Sequence, residues 1–185
     1  FNKNEKRFIS IGSPKHDRLK ENYINDNLYK KYLDNGKKNM VFFSNGNDLI
    51  RNGKAPIDAV EWLSEIAKIY SDRLNIIIKL HPKEDGSLYN NEPDLTIVKN
   101  IDTFDLIAQA DIIGSICSSV MTEAILFNKP ILQFHENSWP LLVDNYKYGL
   151  AIRINNLNTL KNELDLFLNG KIQNNNKIDF VFSNY

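Results

Sequence analysis

Cysteine is almost absent from this chain of 185 residues, in which Cys117 is the single example. One thiol excludes a disulfide within the chain and provides no cysteine cluster for a metal, so we expect a reducing environment. The sequence also lacks any apolar run that approaches the ~20 residues needed to span a bilayer. These absences argue against a disulfide-rich secreted protein and a membrane-spanning protein, and we predict no metal site.

Net charge is absent as well, because 23 basic and 23 acidic side chains cancel. Without a global basic field we expect no nucleic-acid partner. The hydrophobic content of 42% and the charged content of 25% are typical of a globular protein. The length suits one domain with a sizeable core.

Several functional motifs are missing too. No G-x-G-x-x-G follows a predicted strand, and there is no P-loop, so neither dinucleotide binding nor a P-loop NTPase is indicated. Ser118 and Ser119 lack the G-x-S-x-G elbow of serine hydrolases, and no carboxylate pair suggests a hydrolase dyad. The chain begins at Phe1 rather than at methionine. We therefore expect it to be part of a longer protein, and the missing targeting signal carries little weight.

The most informative stretch covers residues 111–134. An apolar pair at 112–113 predicts a buried strand, and the small, hydroxylated residues 114–119 predict a loop. Helical spacing of apolar residues over 120–128 predicts a helix, and residues 131–134 form the next predicted strand. This β-loop-α-β unit is the building block of a parallel sheet.

Strands and helices alternate along the rest of the chain. The predicted strands are residues 8–11, 40–43, 74–80, 95–98 and 150–154. The predicted helices are one within residues 20–39 that Asn35-Gly36 ends, residues 57–70, residues 103–110 with Thr103 as the cap, a helix introduced by Trp139 and Pro140, and residues 157–168. This pattern predicts an α/β fold with a Rossmann-like, doubly wound parallel sheet.

Four loops follow predicted strands, namely residues 12–17, 44–48, 81–85 and 115–119. In a parallel sheet the carboxyl ends of the strands share one edge, where ligands bind beside helix N-termini. We therefore expect these distant segments to approach one another.

Hydroxyl groups and a helix N-terminus form an anion site in the last of these loops. Ser115, Ser118 and Ser119 would donate to phosphate, and Glu123, one helical turn after Ser119, could accept two hydrogen bonds from a ribose diol. The alternative is that Ser119 only caps the helix and Glu123 is an acid favoured by the helix dipole. Both interpretations are open at this point.

His81 and Lys83 could face a phosphate at the end of another strand. The alternatives are a histidine that caps the strand through backbone bonds and a solvated lysine. Residues 135–137, also after a strand, could contact a base or a sugar, but for His135 a surface loop is the favoured interpretation. Cys117 is interpreted as a small packed residue.

Three motifs, in order, resemble those of the CDP-glycerol glycerophosphotransferase-like enzymes. The turn Gly12-Ser13-Pro14-Lys15-His16-Asp17-Arg18-Leu19 resembles their G-x-P-R-x-D-x-L turn, with lysine where arginine is usual. Lys79-Leu80-His81-Pro82 is similar to their K-x-H-P motif. Residues 111–130 resemble D-x-x-x-S-x-x-S-S-x-x-x-E-x-x-x-x-x-K-P. Related motifs occur in bacterial sialyltransferases and capsule Kdo transferases. The broader resemblance, over residues 8–170, is to the C-terminal, donor-binding half of GT-B transferases.

The resemblance implies that residues 1–185 form a single nucleotide-donor-binding domain, with 171–185 as a loose tail or link. The donor would be a CDP-, CMP- or UDP-linked glycosyl or glycerol-phosphate unit used to build a bacterial capsule, teichoic acid or similar polymer. No tightly bound cofactor is implied. The residues implied to hold the donor phosphates are Gly12, Ser13, Lys15, His81, Lys83, Ser115, Ser118 and Ser119. Glu123 would hold the ribose, and His81 is the catalytic candidate.

In such enzymes the acceptor site and the general base lie largely in an N-terminal domain, which this chain lacks. The chain alone is therefore expected to be an inactive part of a cytoplasmic enzyme whose parent associates peripherally with the inner face of the membrane. Two alternatives remain: an isomerase similar to UDP-N-acetylglucosamine 2-epimerases, and a non-catalytic nucleotide-binding domain.

Overall fold

The computed structural model describes residues 32–33, 36–45, 54–139 and 145–172. Within these residues, six parallel strands form one sheet in the order β3-β2-β1-β4-β5-β6. The strands are β1 (Lys38–Phe43), β2 (Leu74–Lys79), β3 (Thr96–Val98), β4 (Ile112–Ser115), β5 (Ile131–Phe134) and β6 (Ile152–Ile154). The helices are α1 (Lys54–Ile69), α2 (Thr103–Gln109), α3 (Val120–Leu126) and α4 (Leu157–Leu168), with 3-10 turns at Ser87–Tyr89 and Asn145–Tyr148.

The central strands are apolar on both faces, because helices cover both. On one face, Met40 and Ile76 pack with side chains of α1 and α4. On the other face, Val41, Ile77 and Ile113 pack with side chains of α2 and α3. Strands buried on both sides show continuous apolar runs rather than alternation, as the sequence of β2 does. The predicted Rossmann-like α/β fold is confirmed.

Most of the predicted elements that the structure describes lie within a few residues of their predicted positions. Helix α4 begins and ends where predicted, and α1 begins at Lys54, so that Pro56 lies in its first turn. The predicted cap at Thr103 is wrong: Asp102 caps α2, and its carboxylate accepts hydrogen bonds from the backbone N–H groups of Phe104 and Asp105.

Some predicted elements fall at the start of the described residues or between the described ranges. Asn35-Gly36 is the predicted end of the helix within residues 20–39, and β1 begins just after it, at Lys38. The predicted strand 8–11, most of that helix, and Pro140 lie outside the described residues.

Strand order reverses at β1, which lies between β2 and β4. In register, Phe43 at the end of β1 pairs with Lys79 on one side and Ser115 on the other. The loops after these three strands therefore lie next to one another on the carboxyl edge, and in open α/β sheets a crevice for ligands forms at such a reversal of strand order. In the part of the chain that the structure describes, no helix combines the length and apolarity required to cross a membrane.

Candidate functional site

The turn after β2 presents a histidine of defined tautomer. His81 is half-buried, and its Nδ1 accepts a hydrogen bond from the backbone N–H of Lys83 at 3.3 Å. A neutral ring that accepts at Nδ1 carries its hydrogen on Nε2. His81 therefore keeps one ring N–H as a donor, while the Lys83 side chain is exposed beside it.

A buried carboxylate supports this turn. Glu84 is 6% exposed. Its Oε2 accepts a hydrogen bond from the backbone N–H of His81 at 2.7 Å, and its Oε1 accepts one from the Ser44 hydroxyl at 2.6 Å. Tyr89 donates to the Ser44 oxygen at 3.1 Å. Glu84 was not predicted as a site residue, since its partner Ser44 lies 40 positions away and nothing local in the sequence indicates the contact.

Two lysines lie close to Glu84. Lys79 is 8% exposed and donates to the carbonyl of Leu80 at 3.1 Å. Burial lowers its pKa from the ordinary value, an effect opposed by the Glu84 carboxylate and strengthened by Lys99. Lys99 donates to the backbone carbonyl of Glu84 at 2.5 Å. Two lysines thus lie beside the Glu84 carboxylate at the base of the His81 turn.

The loop after β4 is organised by Ser115. Its hydroxyl is fully buried, donates to the carbonyl of Phe43 at 2.8 Å and lies 3.1 Å from the Asn45 oxygen. The Ser115 hydroxyl oxygen in turn accepts a hydrogen bond from the backbone N–H of Ser118 at 3.3 Å. Ser115 therefore supports the loop in this structure, and its contact with phosphate stays a prediction.

Ser118 and Ser119 have different positions and hydrogen bonds at the start of α3. The Ser118 oxygen accepts a hydrogen bond from the backbone N–H of Val120 at 3.2 Å, so Ser118 closes the turn into α3. Ser119 occupies the N-cap position, but its side chain makes no capping hydrogen bond and is exposed. Ser119 thus has the N-cap position of the plainer interpretation without its capping hydrogen bond, and its contact with phosphate stays a prediction.

Glu123 lies one turn into α3 and is only 3% exposed. Its position in the first turn fits the plainer interpretation of an acid favoured by the helix dipole, although the residue is buried. Its role towards a ribose is untested and stays a prediction.

Asn45 is a second residue that the sequence did not identify. It is 6% exposed, and its Oδ1 accepts a hydrogen bond from the backbone N–H of Cys117 at 3.2 Å. Together with Ser115, it ties the end of β1 to the serine-containing loop. The only available signal was its position in a polar turn after a strand, which many residues share.

The surface-loop interpretation of His135 is wrong, because the ring is 7% exposed. Its Nε2 lies 3.1 Å from the carbonyl of Trp139 and its Nδ1 lies 3.1 Å from the hydroxyl of Tyr146. The His135 ring also stacks on the ring of Tyr146. The guanidinium carbon of Arg153 lies over the same Tyr146 ring, 5.1 Å from its centroid. The chain after β5 folds back over the histidine, so both ring nitrogens are engaged within the protein.

Cys117 has the packed role predicted for it, and Trp62 and Trp139 are packed against the core as well. Burial raises the pKa of the Cys117 thiol above its ordinary value, which keeps it protonated. Trp62 and Trp139 stack at 5.4 Å against the core. They form part of the fold and not an exposed platform for bases.

Some predicted site residues lie outside the described residues, namely Gly12, Ser13 and Lys15. Their predicted phosphate contacts stay predictions. Among the described residues, no group of His, Cys, Asp or Glu side chains is arranged to hold a metal ion.

A cavity of ≈ 610 Å³ lies at the opposite, amino edge of the sheet, bordered by residues that include Lys37, Arg73, Gln109 and Asp111. Helices α1 and α2 end near this edge, so their carbonyl ends bring negative partial charge. The carboxyl edge is the better site for an anionic ligand. It combines Lys79 and Lys99 with free serine and imidazole donors.

Solved structures share this fold. The wall teichoic acid polymerase TagF, soaked with CDPG, is 22% identical, covering 92% of this chain and 44% of its own, with a TM-score of 0.58. UDP-GlcNAc 2-epimerase from Methanocaldococcus jannaschii, in complex with UDP-GlcNAc and UDP, is 18% identical. The match covers 85% of this chain and 45% of the epimerase, with a TM-score of 0.60. S. aureus MnaA with UDP is 16% identical. The match covers 80% of this chain and 40% of MnaA, with a TM-score of 0.59.

The chain thus spans less than half the length of these structures. At such low identities the likeness shows the fold alone. None of the curated proteins matches the chain. The sequence-family comparison is more specific, because the model for CDP-Glycerol:Poly(glycerophosphate) glycerophosphotransferase matches residues 1–146. That match covers most of the chain and includes both loops of the candidate site, and the chain therefore belongs to this glycerophosphotransferase family.

Proposed function

We propose that this chain is the donor-binding half of a transferase that moves a glycerol-phosphate or glycosyl unit from a nucleotide-linked donor. The product would be a bacterial surface polymer such as a teichoic acid or capsule. The family description names CDP-glycerol, and we propose a CDP-linked donor. The acceptor site and general base would lie in a second domain, so this chain would bind the donor without turning it over.

The observation that carries the proposal is the meeting of the His81 turn and the serine-containing loop on either side of β1. The two loops follow β2 and β4, which are separated by one strand. With a strand spacing of about 4.8 Å, they lie on the order of 10 Å apart at the crevice. A nucleotide-linked donor can bridge that gap, with its phosphates between the two loops and its ribose towards Glu123.

Each group has a role that its geometry permits. The Nε2–H of His81 and the hydroxyls of Ser118 and Ser119 would donate to the phosphates. These bonds would strengthen as charge develops on the departing nucleotide. Glu123 would accept hydrogen bonds from the ribose diol, and exposed Lys83 would attract the anion.

Calorimetry tests this proposal directly. The chain is titrated with CMP, CDP, UDP, GDP and ADP, and then His81→Ala and Ser119→Ala are titrated with the best ligand. We expect CDP to bind best and each variant to bind about tenfold more weakly, since each loses one charge-assisted hydrogen bond. Ser71→Ala, an exposed serine in the turn before β2, is the matched control and should bind normally. Binding of no nucleotide, or binding unaffected by both site variants, would contradict the proposal.

A further inference from the structure

Glu84 joins two strands through hydrogen bonds at the edge of the sheet. One carboxylate oxygen accepts from the Ser44 hydroxyl after β1, and the other accepts from the backbone N–H of His81 after β2. The carboxylate is buried. It therefore fixes the start of the His81 turn relative to the central strand.

Neighbouring groups hold this carboxylate in place. Tyr89, itself 4% exposed, donates to the Ser44 oxygen. Lys99 donates to the backbone carbonyl of Glu84. The backbone N–H of Glu84 in turn donates to the carbonyl of His81 at 2.9 Å. With contacts on both its backbone and its side chain, Glu84 has little freedom to move independently of His81.

From this geometry we propose that Glu84 is a positioning residue for His81, which aims the imidazole into the donor crevice without touching the donor. The inference rests on the proposed function. Loss of the carboxylate would leave the N–H of His81 without its acceptor and release the turn from β1. Small displacements of a binding group cost much of its contribution, because hydrogen bonds weaken steeply with poor geometry.

Electrostatics and positioning make opposite predictions for Glu84→Ala. The substitution removes a negative charge near an anionic ligand, so the charge effect alone should tighten CDP binding. Positioning instead predicts about tenfold weaker binding, comparable to the loss of the His81 side chain. Glu84→Gln keeps the shape and an acceptor oxygen, and it should recover most of the affinity.

A double-substitution cycle separates positioning from a general loss of structure. If Glu84 acts through the imidazole, Glu84→Ala should change the Kd for CDP by less than about twofold in the His81→Ala background. The cycle is clean because His81→Ala retains the backbone N–H that Glu84 binds. Equal losses in the two backgrounds would overturn the inference while leaving the proposed function intact.

Ser44→Ala is a milder variant for the case in which Glu84→Ala fails to fold, because it removes only the hydroxyl that donates to Glu84. Ser44→Ala should weaken CDP binding severalfold. Ser87→Ala is the matched control for Ser44→Ala. The exposed Ser87 hydroxyl donates to Asp85, and its loss removes no charge, so affinity should stay unchanged. Unchanged affinity in a folded Glu84→Ala would also overturn the inference.

A measurement without ligand completes the test. Long-range nitrogen–proton NMR correlations report the tautomer of the His81 ring. The wild type should show mainly the Nε2–H form near pH 8, and Glu84→Ala should show a mixture as the Lys83 bond to Nδ1 is lost. If the wild type binds no nucleotide, the proposed function fails, and the ring tautomer alone decides whether Glu84 orders His81. An unchanged tautomer in Glu84→Ala would contradict the positioning role.

Discussion

Asn45 and Cys117 join two loops that lie 72 positions apart in sequence, because the Asn45 side-chain oxygen accepts a hydrogen bond from the backbone N–H of Cys117 at 3.2 Å. Ser44, the preceding residue, contacts Glu84 on the other side of β1. The two residues after the central strand therefore connect to both neighbouring loops. This explains how two distant polar segments can hold one ligand in a fixed geometry.

We predict that Asn45→Ala weakens CDP binding about tenfold and lowers the free energy of unfolding by about 1–3 kcal/mol. The N–H of Cys117 would lose its acceptor, and an unsatisfied, partly buried donor carries a cost of that size. Calorimetry and urea unfolding measure the two effects. Asn90→Ala, at an exposed position, should change neither. Normal affinity in Asn45→Ala would show that Asn45 does not hold the serine-containing loop in its binding geometry.

The role of Glu123 predicts a specific response to the sugar of the ligand. Wild-type protein should bind 2′-deoxy-CDP about tenfold more weakly than CDP, since one hydrogen bond to a carboxylate is lost. Glu123→Gln should bind CDP more weakly but discriminate less between the two ligands. Glu61→Gln, an exposed helical position, is the control. Equal discrimination by wild type and Glu123→Gln would exclude a ribose contact.

The Cys117 thiol should react slowly. Burial raises its pKa, so less thiolate is present at pH 8 than in an exposed cysteine, and thiolate is the reactive form. Labelling with a disulfide reagent at pH 8 should be slower in the folded protein than in urea, and it should accelerate as pH rises. Equal rates in both states at pH 8 would contradict the packed assignment.

Tyr89 should make stability depend on pH in the alkaline range. Burial raises its pKa from 10.0 to about 12, with Glu84 adding to the rise and the Ser44 hydrogen bond opposing it. The folded state holds this proton more tightly, so its contribution is fully present below pH 10 and is lost as pH rises through 12. The loss should reach up to about 3 kcal/mol.

Urea unfolding at pH 9 and pH 11.5 measures this effect. Tyr89→Phe should show a weaker decline between the two pH values, because it has no phenol to ionise. Tyr148→Phe, at a position that is 56% exposed, should decline like the wild type. A Tyr89→Phe variant with the wild-type decline would mean that the phenol is not responsible.

The fold and the edge of the sheet that holds the candidate site could be predicted from sequence, because the apolar runs of β2 and β5 and the helical spacing in α4 are local signals. The connections through Glu84 and Asn45 could not be predicted, because each depends on partners far away in the chain. The cap of α2 was misplaced by one residue since Asp102 and Thr103 are both good capping residues. His135 was misjudged because only the return of the chain at Trp139 and Tyr146 buries it.

The central claim is that a nucleotide binds at the carboxyl edge of the sheet, and amide NMR shifts on titration with CDP test it most directly. We predict saturable shifts at His81, Ser118 and Ser119, with little change at Arg73 and Gln109 beside the amino-edge cavity. Shifts confined to Arg73 and Gln109, or no shifts at all, would contradict the assignment of this edge as a donor-binding site.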